Sequence, residues 1–309
     1  MNDFLNNIKL NQTPLQRIED DIPDRFGVNL FIKRIDLIHP YISGNKWFKL
    51  KYNLIEALNK NIGTLLSFGG AYSNHIHALA AAGKELGFKT IGVIRGEEHL
   101  PLNPTLSFAK ECGMLFHYLD RSSYRNKYSE NIISELQKLY GEFYLIPEGG
   151  SNELAVKGCE EIMSDVEIPY NYVCCACGTA GTISGIISGS VPDTRILGIS
   201  VLKGAEFLNR NVKSFLKNKL LNNWEINLDY HFGGYAKFNS SLINFIERFY
   251  EQHNIQLDPI YTGKLLFGIY DLISKNYFQK GSTIIAIHSG GLQGLAGMQS
   301  KIRWLKQFA

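Results

Sequence analysis

Lys46 is the residue whose position most directly suggests covalent chemistry. It follows the turn-forming run Ser43-Gly44-Asn45 and falls in the first turn of a predicted helix. The positive end of the helix dipole disfavours a cation there, and a lysine with a lowered pKa is the nucleophilic amine that Schiff-base chemistry requires. The alternative is an ordinary surface lysine. Lys49 and Lys51, which come later in the same helix, are expected to be solvated.

A loop with paired glycines offers a second group of candidate site residues. Gly69-Gly70 ends a predicted strand, and Ser73 or Asn74 caps the helix that follows. The free N–H groups at that helix start, with the Ser73 hydroxyl and the Asn74 amide, suit a carboxylate. The same residues also occur in an ordinary turn between a strand and a helix. His75 is therefore either a site residue or a surface residue.

A third loop has the composition of a phosphate site. It comprises Gly178, Thr179, Ala180, Gly181 and Thr182, and it joins a strand to a helix. Its small residues, its two hydroxyls and its successive backbone N–H donors form a nest for an anion. The loop lacks the Gly-Lys-Ser/Thr of a Walker A motif and the Gly-x-Gly-x-x-Gly spacing of a dinucleotide site. One phosphate therefore fits better than a pyrophosphate, which favours a cofactor of mononucleotide size.

Further hydroxyl groups lie in loops later in the chain. Tyr235 and Tyr261 stand near glycine or proline, and Ser289 ends a strand. Each tyrosine could instead pack in the core with one satisfied hydroxyl, and Thr262 could be a plain helix N-cap. Together with the lysine, the carboxylate nest and the phosphate nest, these groups match what a pyridoxal phosphate site needs.

Strands and helices alternate along the chain, and this pattern must position the loops. Several strands are apolar throughout, which is typical of parallel strands covered by helices on both faces. The predicted fold is therefore α/β with doubly wound parallel sheets, and all-β sandwiches and helix bundles are excluded. In such sheets a ligand lies at the carboxyl ends of the strands. The predicted strands fall at residues 29–38, 63–70, 89–96, 114–120, 142–150, 171–178, 194–202 and 282–291.

Composition excludes several other classes of protein. The chain has 309 residues, for which two domains are a soft expectation. Its formal net charge of +3 is too small for a surface that binds nucleic acid. No secretory signal is expected at the start, and no apolar run reaches the roughly 18 residues of a membrane span. A cytoplasmic globular protein is therefore expected.

The five cysteines are an odd number, and Cys174, Cys175 and Cys177 fall in one predicted strand. Neighbouring side chains on a strand point to opposite faces, so Cys174 and Cys175 cannot both bind one metal ion. No second cluster has the spacing of zinc ligands. We therefore predict no metal site and interpret the cysteines as small apolar side chains in a reduced protein.

Five motifs in register resemble those of one enzyme family. They are Ser43-Gly44-Asn45-Lys46, Gly69 through His75, Gly178 to Thr182, Asp258 through Lys264, and His288-Ser289-Gly290-Gly291. Over roughly residues 8 to 300 the chain resembles the D-cysteine desulfhydrase and 1-aminocyclopropane-1-carboxylate (ACC) deaminase family. These are fold-type II pyridoxal phosphate enzymes, which are related to the tryptophan synthase β subunit.

The resemblance implies two doubly wound, three-layer α/β/α domains with the cofactor between them. The larger domain would comprise residues 1–44 and 156–309, and the smaller, inserted domain would comprise residues 45–155. Lys46 would bind the cofactor aldehyde as a Schiff base. Asn74 would hydrogen-bond the phenolic oxygen of the cofactor. The cofactor phosphate would be held by Gly178, Thr179, Ala180, Gly181 and Thr182.

The resemblance also implies how the substrate is held. Ser73, with the backbone of Asn74 and His75, would bind the substrate carboxylate, and Ser73 counts among the expected catalytic residues. Tyr235 and Tyr261 would flank the substrate as polar catalytic groups.

One departure from the family pattern bears on the reaction. In ACC deaminases a glutamate that faces the pyridine nitrogen follows the second tyrosine, whereas this chain has Thr262 there. Ser289, where relatives often carry threonine, keeps a hydroxyl in reach of the cofactor. A hydroxyl cannot keep the ring nitrogen protonated as a carboxylate can, so the ring would be a weaker electron sink. That suffices for eliminating a good β-leaving group but makes the opening of a cyclopropane less favourable.

The expected function is that of a pyridoxal phosphate-dependent lyase that acts on a small amino acid with a β-leaving group. D-Cysteine is the favoured substrate, and its products would be pyruvate, ammonia and sulfide. The alternatives are an ACC deaminase, a serine or threonine dehydratase, a racemase, a cofactor-binding protein without turnover, and a nucleotide-binding dehydrogenase. A homodimer is expected by family analogy, and no nucleic-acid or membrane partner is expected.

Overall fold

The computed structural model describes residue 5, residues 8–217 and residues 221–298, and the structural statements below concern these residues. The strands are β1 (Leu15–Ile18), β2 (Asn29–Lys33), β3 (Thr64–Gly69), β4 (Lys89–Arg95), β5 (Leu115–Leu119), β6 (Tyr144–Ile146), β7 (Tyr172–Cys177), β8 (Arg195–Ser200), β9 (Trp224–Asn227) and β10 (Thr283–Ile287). The α-helices are α1 (Asp21–Phe26), α2 (Asn45–Asn59), α3 (Asn74–Leu86), α4 (Pro104–Glu111), α5 (Arg121–Arg125), α6 (Glu130–Tyr140), α7 (Glu153–Cys159), α8 (Ala180–Gly189), α9 (Phe207–Leu216), α10 (Ser240–His253) and α11 (Thr262–Ser274). Short 3-10 segments occur at Ile35–Leu37, Glu148–Gly150, Glu160–Met163 and Leu292–Met298.

Six strands form the first sheet, in the order β1-β2-β10-β7-β8-β9. The β1–β2 pair is antiparallel, and the remaining pairs are parallel. β10 comes late in the chain but lies between β2 and β7. This order brings the loop after β10 next to the segment that leads from β2 into α2.

Four strands form the second sheet, in the order β5-β4-β3-β6, and all of its pairs are parallel. These strands all fall between residues 64 and 146. In the sequence, this stretch separates β1 and β2 of the first sheet from its other four strands. The segment therefore forms a sheet of its own. The domain boundaries at residues 45 and 155 stay a prediction.

Both faces of each sheet are buried against helices. In β10, Ile284 and Ala286 pack in one apolar cluster with side chains of α10 and α11, whereas Ile285 and Ile287 pack in another with side chains of α2 and α8. In β3, Leu65 belongs to the cluster with α2, and its neighbour Leu66 packs with α6. Because parallel strands covered on both faces are apolar throughout, the predicted α/β fold class is confirmed.

The cysteines of β7 are divided between the two faces of the first sheet. Cys174 packs in the cluster with α11, and Cys175 and Cys177 pack in the cluster with α8. All five cysteines are free, and four of them are buried. Their interpretation as small apolar side chains is confirmed for this strand. Among the described residues, no group of three or more His, Cys, Asp or Glu side chains could hold a metal ion.

α2 begins at a turn that requires glycine. Gly44 precedes the helix with φ 63° and ψ −143°, a conformation that side chains other than glycine rarely adopt. A Cβ atom on Gly44 would lie 2.0 Å from the backbone oxygen of Ser289. One on Gly158 in α7 would lie 1.8 Å from the backbone oxygen of Phe48 in α2. These two close approaches fix the first turns of α2, including Lys46, against the end of β10 and against α7.

All eight predicted strands are present, as β2 to β8 and β10. The edge strands β1 and β9 were not predicted, because a segment of four residues is too short to show a periodic pattern. Within the described part of the chain, no helix combines the length and the apolar character that crossing a membrane requires.

Candidate active site

A cavity of about 560 Å³ opens between the two sheets, at the carboxyl ends of their strands. The loops that follow β2, β3, β6, β7 and β10 contribute to its wall. Most of the predicted site residues line it: Lys46, Ser73, Asn74, His75, Gly178, Thr179, Thr182, Tyr235, Tyr261 and Ser289. Three predicted site residues are buried and do not line it: Ala180, Gly181 and Thr262.

Lys46 lies in the first turn of α2, and its side chain is partly buried at the cavity wall. Burial lowers the pKa of Lys46 from its ordinary value of 10.5 to about 8, because a buried ammonium loses its hydration. At neutral pH the neutral amine is therefore more abundant than in an exposed lysine. A nucleophilic lysine needs this protonation state.

The expectation that Lys49 and Lys51 are solvated is wrong. Lys49 is only 1% exposed, and Lys51 is partly buried and forms an ion pair with Glu161. Lys49 follows Lys46 by three residues, a spacing that places two side chains on the same face of a helix. Lys49 contacts Gly149, Ser151 and Thr179, so the face of α2 that carries both lysines lies against other segments of the chain rather than in solvent.

The Lys49 ammonium is held by three oxygen acceptors. Its Nζ atom donates to the carbonyl oxygen of Gly149 at 2.6 Å, to Ser151 Oγ at 2.8 Å and to Thr179 Oγ1 at 3.2 Å. Burial first, and then the charge of Lys46, lower the pKa of Lys49 to about 7. A nearby anion would raise this pKa again, because an opposite charge favours the ammonium.

The loop after β7 lies directly against Lys49. A Cβ atom on Gly181 would lie 3.2 Å from Lys49 Cε, so glycine permits this close packing. Thr179 caps α8 without a hydrogen bond from its side chain to the helix. Thr182 Oγ1 accepts a hydrogen bond from Asn45 Nδ2 at 2.9 Å. A helix N-terminus, two hydroxyls and a buried cation are together suited to bind an anion, and the loop of residues 178–182 is therefore called the anion loop.

The turn between β3 and α3 carries a second set of donors. Ser73 caps α3, and its Oγ atom accepts the N–H of Ile76 at 3.3 Å. Asn74 Oδ1 accepts a hydrogen bond from Gln293 Nε2. Because this contact orients the amide, Asn74 Nδ2 keeps its N–H donors for a ligand. Gly291, with φ 95°, allows the close approach of that amide, since a Cβ atom there would lie 2.9 Å from Asn74 Nδ2.

His75 is buried rather than at the surface, with 2% of its area exposed. Its Nε2 lies 2.8 Å from Ser67 Oγ, and Ser67 donates its own proton to the carbonyl oxygen of Ile146 at 2.7 Å. Nε2 must therefore carry the ring proton, which leaves Nδ1 as an acceptor. Burial, followed by the charges of Lys46 and Lys49, lowers the pKa of His75 well below 6.5, so the ring is neutral.

The acceptor atom of His75 has no partner of its own. Nδ1 is buried and makes no hydrogen bond within the described part of the chain. An unpaired buried acceptor costs free energy, about 1–3 kcal/mol. His75 also lines the cavity. A ligand with an N–H or O–H group would satisfy Nδ1.

Tyr235 and Tyr261 form an aromatic pair in the cavity wall. Their ring centroids are 6.1 Å apart, with the planes inclined by 72°. Burial, followed by the charge and the hydrogen bond of Tyr235, raises the pKa of Tyr261 well above 10. Tyr261 therefore keeps its phenolic proton. The Tyr261 ring packs on Gly178 of the anion loop, since a Cβ atom on Gly178 would lie 3.0 Å from Tyr261 Cε1.

Thr262 and Ser289 occupy different surroundings. The Thr262 hydroxyl is fully buried, donates to Asp258 Oδ1 at 2.7 Å and accepts the N–H of Asp258 at 2.9 Å. The Asp258 carboxylate also accepts the N–H groups of Ile260, Tyr261 and Thr262. Thr262 thus helps Asp258 anchor the start of α11, next to Tyr261. Of the two residues Thr262 and Ser289, only Ser289 lines the cavity.

Lys264, which the sequence did not single out, anchors the loop that carries Tyr235. Its fully buried Nζ donates to the carbonyl oxygens of His231 at 2.9 Å, Gly234 at 2.8 Å and Val201 at 3.4 Å. Burial lowers the pKa of Lys264 to about 8. Three backbone acceptors therefore fix the turn before Tyr235 to the helix that begins next to Tyr261.

The side chains found at the cavity are consistent with what the chain is similar to among known proteins. A family profile described as "Pyridoxal-phosphate dependent enzyme" matches residues 8–290. The chain belongs to this family. It is a pyridoxal phosphate-dependent enzyme of fold-type II, within the group of lyases and deaminases that includes ACC deaminase and D-cysteine desulfhydrase.

Individual relatives match most of this enzyme. A Pyrococcus horikoshii protein named "Putative 1-aminocyclopropane-1-carboxylate deaminase" is 33% identical over 92% of this chain and 90% of its own length. The Arabidopsis thaliana "Bifunctional D-cysteine desulfhydrase/1-aminocyclopropane-1-carboxylate deaminase, mitochondrial" is 31% identical over 87% of this chain and 74% of its own length. The solved structure of an "ACC deaminase homologue" is 30% identical, with a TM-score of 0.82 and 98% of both chains covered.

The residues present fit pyridoxal phosphate. The loop of residues 178–182 and the buried Lys49 would hold its phosphate, and Lys46 offers an amine of lowered pKa for its aldehyde. Asn74 Nδ2 and Ser289 Oγ offer donors to the polar atoms of its ring. These residues line one cavity whose volume of about 560 Å³ also leaves room for a small amino acid.

Several residues of the wall were missed by the sequence reading: Tyr41, Asn45, Arg95, Glu148 and Gln293, in addition to Lys49 behind it. A signal existed for Lys49, because its spacing from Lys46 puts both lysines on one helix face. For Gln293 no local signal existed, since its contact with Asn74 joins segments far apart in the sequence.

Proposed function

We propose that this enzyme catalyses β-elimination from a small amino acid and that D-cysteine is its preferred substrate. The products would be pyruvate, ammonia and sulfide. The observation that carries the proposal is the position of Lys46, whose partly buried amine shares one cavity with the anion loop and with two tyrosines. ACC deamination is the second candidate, because relatives of this chain bear that name.

The side chains at the cavity favour the first reaction. Ser289 supplies a hydroxyl after β10 in the cavity wall, and by the resemblance this hydroxyl lies in reach of the cofactor. Glu148 is the acidic residue of the wall, and its carboxylate is already engaged by Lys127 and by the Tyr124 hydroxyl. No free carboxylate is thus offered to the ring by the described residues of the wall. A ring without one is a weak electron sink, which suits the departure of a thiolate.

Each residue has a definite task in this reaction. Bound pyridoxal phosphate supplies an electron sink for the α-carbon of the substrate. Ser73 and the N–H groups of α3 hold the substrate carboxylate, and Lys46, as a neutral amine, takes the α-proton. Tyr261, whose raised pKa keeps its phenol protonated, donates a hydrogen bond toward the leaving sulfur, supported by Tyr235.

A comparison of two substrates tests the proposal. We expect kcat/KM for sulfide release from D-cysteine to exceed kcat/KM for 2-oxobutyrate release from ACC at least about tenfold. The thiolate leaving group should make the activation free energy lower by more than about 1.4 kcal/mol than it is for opening the cyclopropane ring. The panel should include L-cysteine, D-serine, L-serine and L-threonine, which covers the dehydratase and racemase alternatives. Faster turnover of ACC, or a yellow protein inert to the whole panel, would contradict the proposal.

The lowered pKa of Lys46 predicts a pH dependence of cofactor attachment. An ordinary lysine stays charged up to a pH of about 10.5, whereas the Lys46 amine loses its proton as the pH rises through about 8. At saturating cofactor, the rate of covalent attachment to the cofactor-free protein should therefore rise about tenfold per pH unit below 8 and level off above it. Rapid mixing followed by visible absorbance between pH 6 and 10 measures this, and a rate that still rises at pH 10 would refute the lowered pKa.

The oligomeric state, the cellular location and the domain boundaries are further parts of the proposal. We carry over the homodimeric state from the resemblance to the family. A cytoplasmic location is supported by the five free cysteines. The division into residues 1–44 with 156–309 and residues 45–155 is supported by the four-stranded sheet, which lies wholly within residues 64–146.

A further inference from the structure

A buried carboxylate, that of Asp36, lies behind the wall of the catalytic cavity. Asp36 follows β2 in the short 3-10 segment Ile35–Leu37, and its side chain is only 1% exposed. It does not line the cavity, and the proposed reaction does not use it. Arg34 donates two hydrogen bonds to this carboxylate, from Nε to Oδ1 at 2.9 Å and from Nη2 to Oδ2 at 2.8 Å. The two residues therefore form a buried bidentate ion pair.

Asp36 joins two segments that are far apart in the sequence. Its backbone N–H donates to the carbonyl oxygen of His288, which directly follows β10, at 3.1 Å. Its own carbonyl oxygen accepts a hydrogen bond from Ser43 Oγ at 2.9 Å. Both segments continue into the cavity wall, one as Ser289 and the other as Lys46. Asp36 therefore connects two parts of the wall that carry predicted cofactor contacts.

The side chain of His288 is enclosed by hydrogen-bonding partners. His288 is fully buried, and its Nε2 lies 2.8 Å from the carbonyl oxygen of Gln256, so Nε2 carries a proton. Its Nδ1 lies 3.4 Å from Gly290 N and 3.4 Å from Asp36 Oδ1. Without a proton Nδ1 accepts the Gly290 N–H, and with a proton it donates to the carboxylate. The ring is thus held in either protonation state, and Arg34, Asp36 and His288 form one unit, here called the buried network.

The two segments that the buried network joins also touch each other. The N–H of Asn45 donates to the carbonyl oxygen of Ser289 at 3.3 Å. Gly290 has φ 78°, and a Cβ atom there would lie 2.7 Å from Ser43 Oγ. Because the backbones are this close, a shift of Ser289 or Gly290 would also move the turn that leads to Lys46.

Stability alone does not account for the buried ion pair. The loss of hydration offsets much of the attraction between two buried charges, and apolar side chains of similar size often stabilise a fold as well or better. A polar network whose members all have partners fixes them in one arrangement. The buried network therefore contributes to the position of the segments that it joins.

We propose that Arg34, Asp36 and His288 are positioning residues of the active site. They fix the Ser289 hydroxyl and the Lys46 amine relative to each other, so that both are offered to one bound pyridoxal phosphate. They act through these two residues, because neither Asp36 nor His288 lines the cavity. This role concerns the attachment of the cofactor and goes beyond the proposed function, since it holds for any substrate.

Replacing His288 with phenylalanine tests the role, because the substitution keeps a planar ring and removes both nitrogen atoms. We expect the rate of covalent attachment to the cofactor-free protein, at saturating pyridoxal phosphate, to fall about tenfold or more, since a misplacement of about 1 Å costs up to about a hundredfold in rate. The kcat of the holoenzyme with its best substrate should fall by a similar factor. KM should change less than about threefold, because Ser73, which would hold the substrate carboxylate, follows a strand of the other sheet.

A second buried pair of histidine and aspartate provides a matched control. His253 Nε2 lies 3.2 Å from Asp20 Oδ2, and the two side chains are 8% and 11% exposed. This pair joins the end of α10 to the start of α1, and neither residue lines the cavity. His253→Phe removes the same kind of contact, so it should lower the melting temperature. Its attachment rate should stay within about twofold of the wild type, because the site is remote.

Two further variants separate hydrogen bonding from packing. His288→Gln keeps one donor and one acceptor, so its attachment rate should exceed that of His288→Phe at least about threefold. Asp36→Asn keeps the size of the side chain and removes its charge, and it should slow attachment about fivefold or more. Because Asp36 and His288 act as one unit, the double variant should be about as slow as the slower single variant. Circular dichroism shows which variants are folded, and Asp36→Asn decides the test when His288→Phe is not.

Three outcomes would overturn the inference. The first is attachment at the wild-type rate in folded His288→Phe or Asp36→Asn, with only the melting temperature lowered as in His253→Phe. The second is a multiplied loss in the double variant, which would give the two residues separate roles. The third is a His288→Gln protein as slow as His288→Phe. Attachment is measured before any substrate is added, so a protein that does not turn over D-cysteine would count against the proposed function alone.

Discussion

Replacing Lys46 with alanine should abolish turnover and the yellow colour of the bound cofactor together. Lys46 supplies both the amine for covalent attachment and the base for the α-proton, and its lowered pKa of about 8 suits both tasks. Loss of one general base alone costs about 10²–10⁴ in rate, so we expect at least a 10³-fold loss of kcat/KM with D-cysteine. Visible absorbance of the purified protein and a pyruvate assay measure the two effects.

The control for this variant is Lys60→Ala at the end of the same helix. Lys60 is exposed and pairs with Glu56, so its removal should leave both colour and turnover unchanged. Circular dichroism should show that Lys46→Ala remains folded, since its side chain makes no ion pair in the described structure. A folded Lys46→Ala protein that keeps both its colour and its activity would refute the role of Lys46.

Replacing Lys49 with methionine should weaken cofactor binding while leaving covalent attachment possible. The Lys49 ammonium donates to Ser151 and Thr179 behind the anion loop, and it would balance the charge of the cofactor phosphate. Loss of one charge-assisted interaction costs about 1.5–3 kcal/mol, which corresponds to a dissociation constant about tenfold to hundredfold higher. Titration of the cofactor-free protein with pyridoxal phosphate, followed by visible absorbance, measures this constant.

Two comparisons make the Lys49 prediction specific. Lys60→Met changes an exposed lysine on the same helix and should leave the dissociation constant unchanged. Pyridoxal without its phosphate should bind Lys49→Met and the wild type about equally, because the buried cation acts on the phosphate. If Lys49→Met loses affinity for both compounds alike, Lys49 supports the fold rather than the phosphate.

The fold was largely predictable because the signal for parallel strands is local. Apolar runs such as the one that became β7, together with the helical stretches between them, identify a doubly wound sheet without knowledge of distant contacts. The strand order was not predictable in this way. β10 lies between β2 and β7 because of contacts between segments that are far apart in the sequence, and this placement brings Ser289 to the start of α2.

The residues of the candidate site that lie in loops after strands were predictable, whereas the buried residues that contact those loops were not. Lys46, Ser73, Asn74 and the loop of residues 178–182 follow predicted strands, and the carboxyl ends of parallel strands meet at one edge. The prediction for Lys49 was wrong because its burial depends on contacts with residues 149–151 and with Thr179, which no property of α2 alone reveals. The resemblance could name Thr262 as a ring contact, but only the structure shows that its hydroxyl is taken up by Asp258.

The identity of the lysine that carries the cofactor can be measured directly. Two lysines with lowered pKa values, Lys46 and Lys49, lie on one face of α2, and only Lys46 lines the cavity. Reduction of the holoenzyme with borohydride, followed by digestion and tandem mass spectrometry, should place the cofactor mass on Lys46 alone. A label on Lys49 or on another lysine, or no label on a yellow protein, would contradict the assignment of Lys46 as the lysine that binds the cofactor.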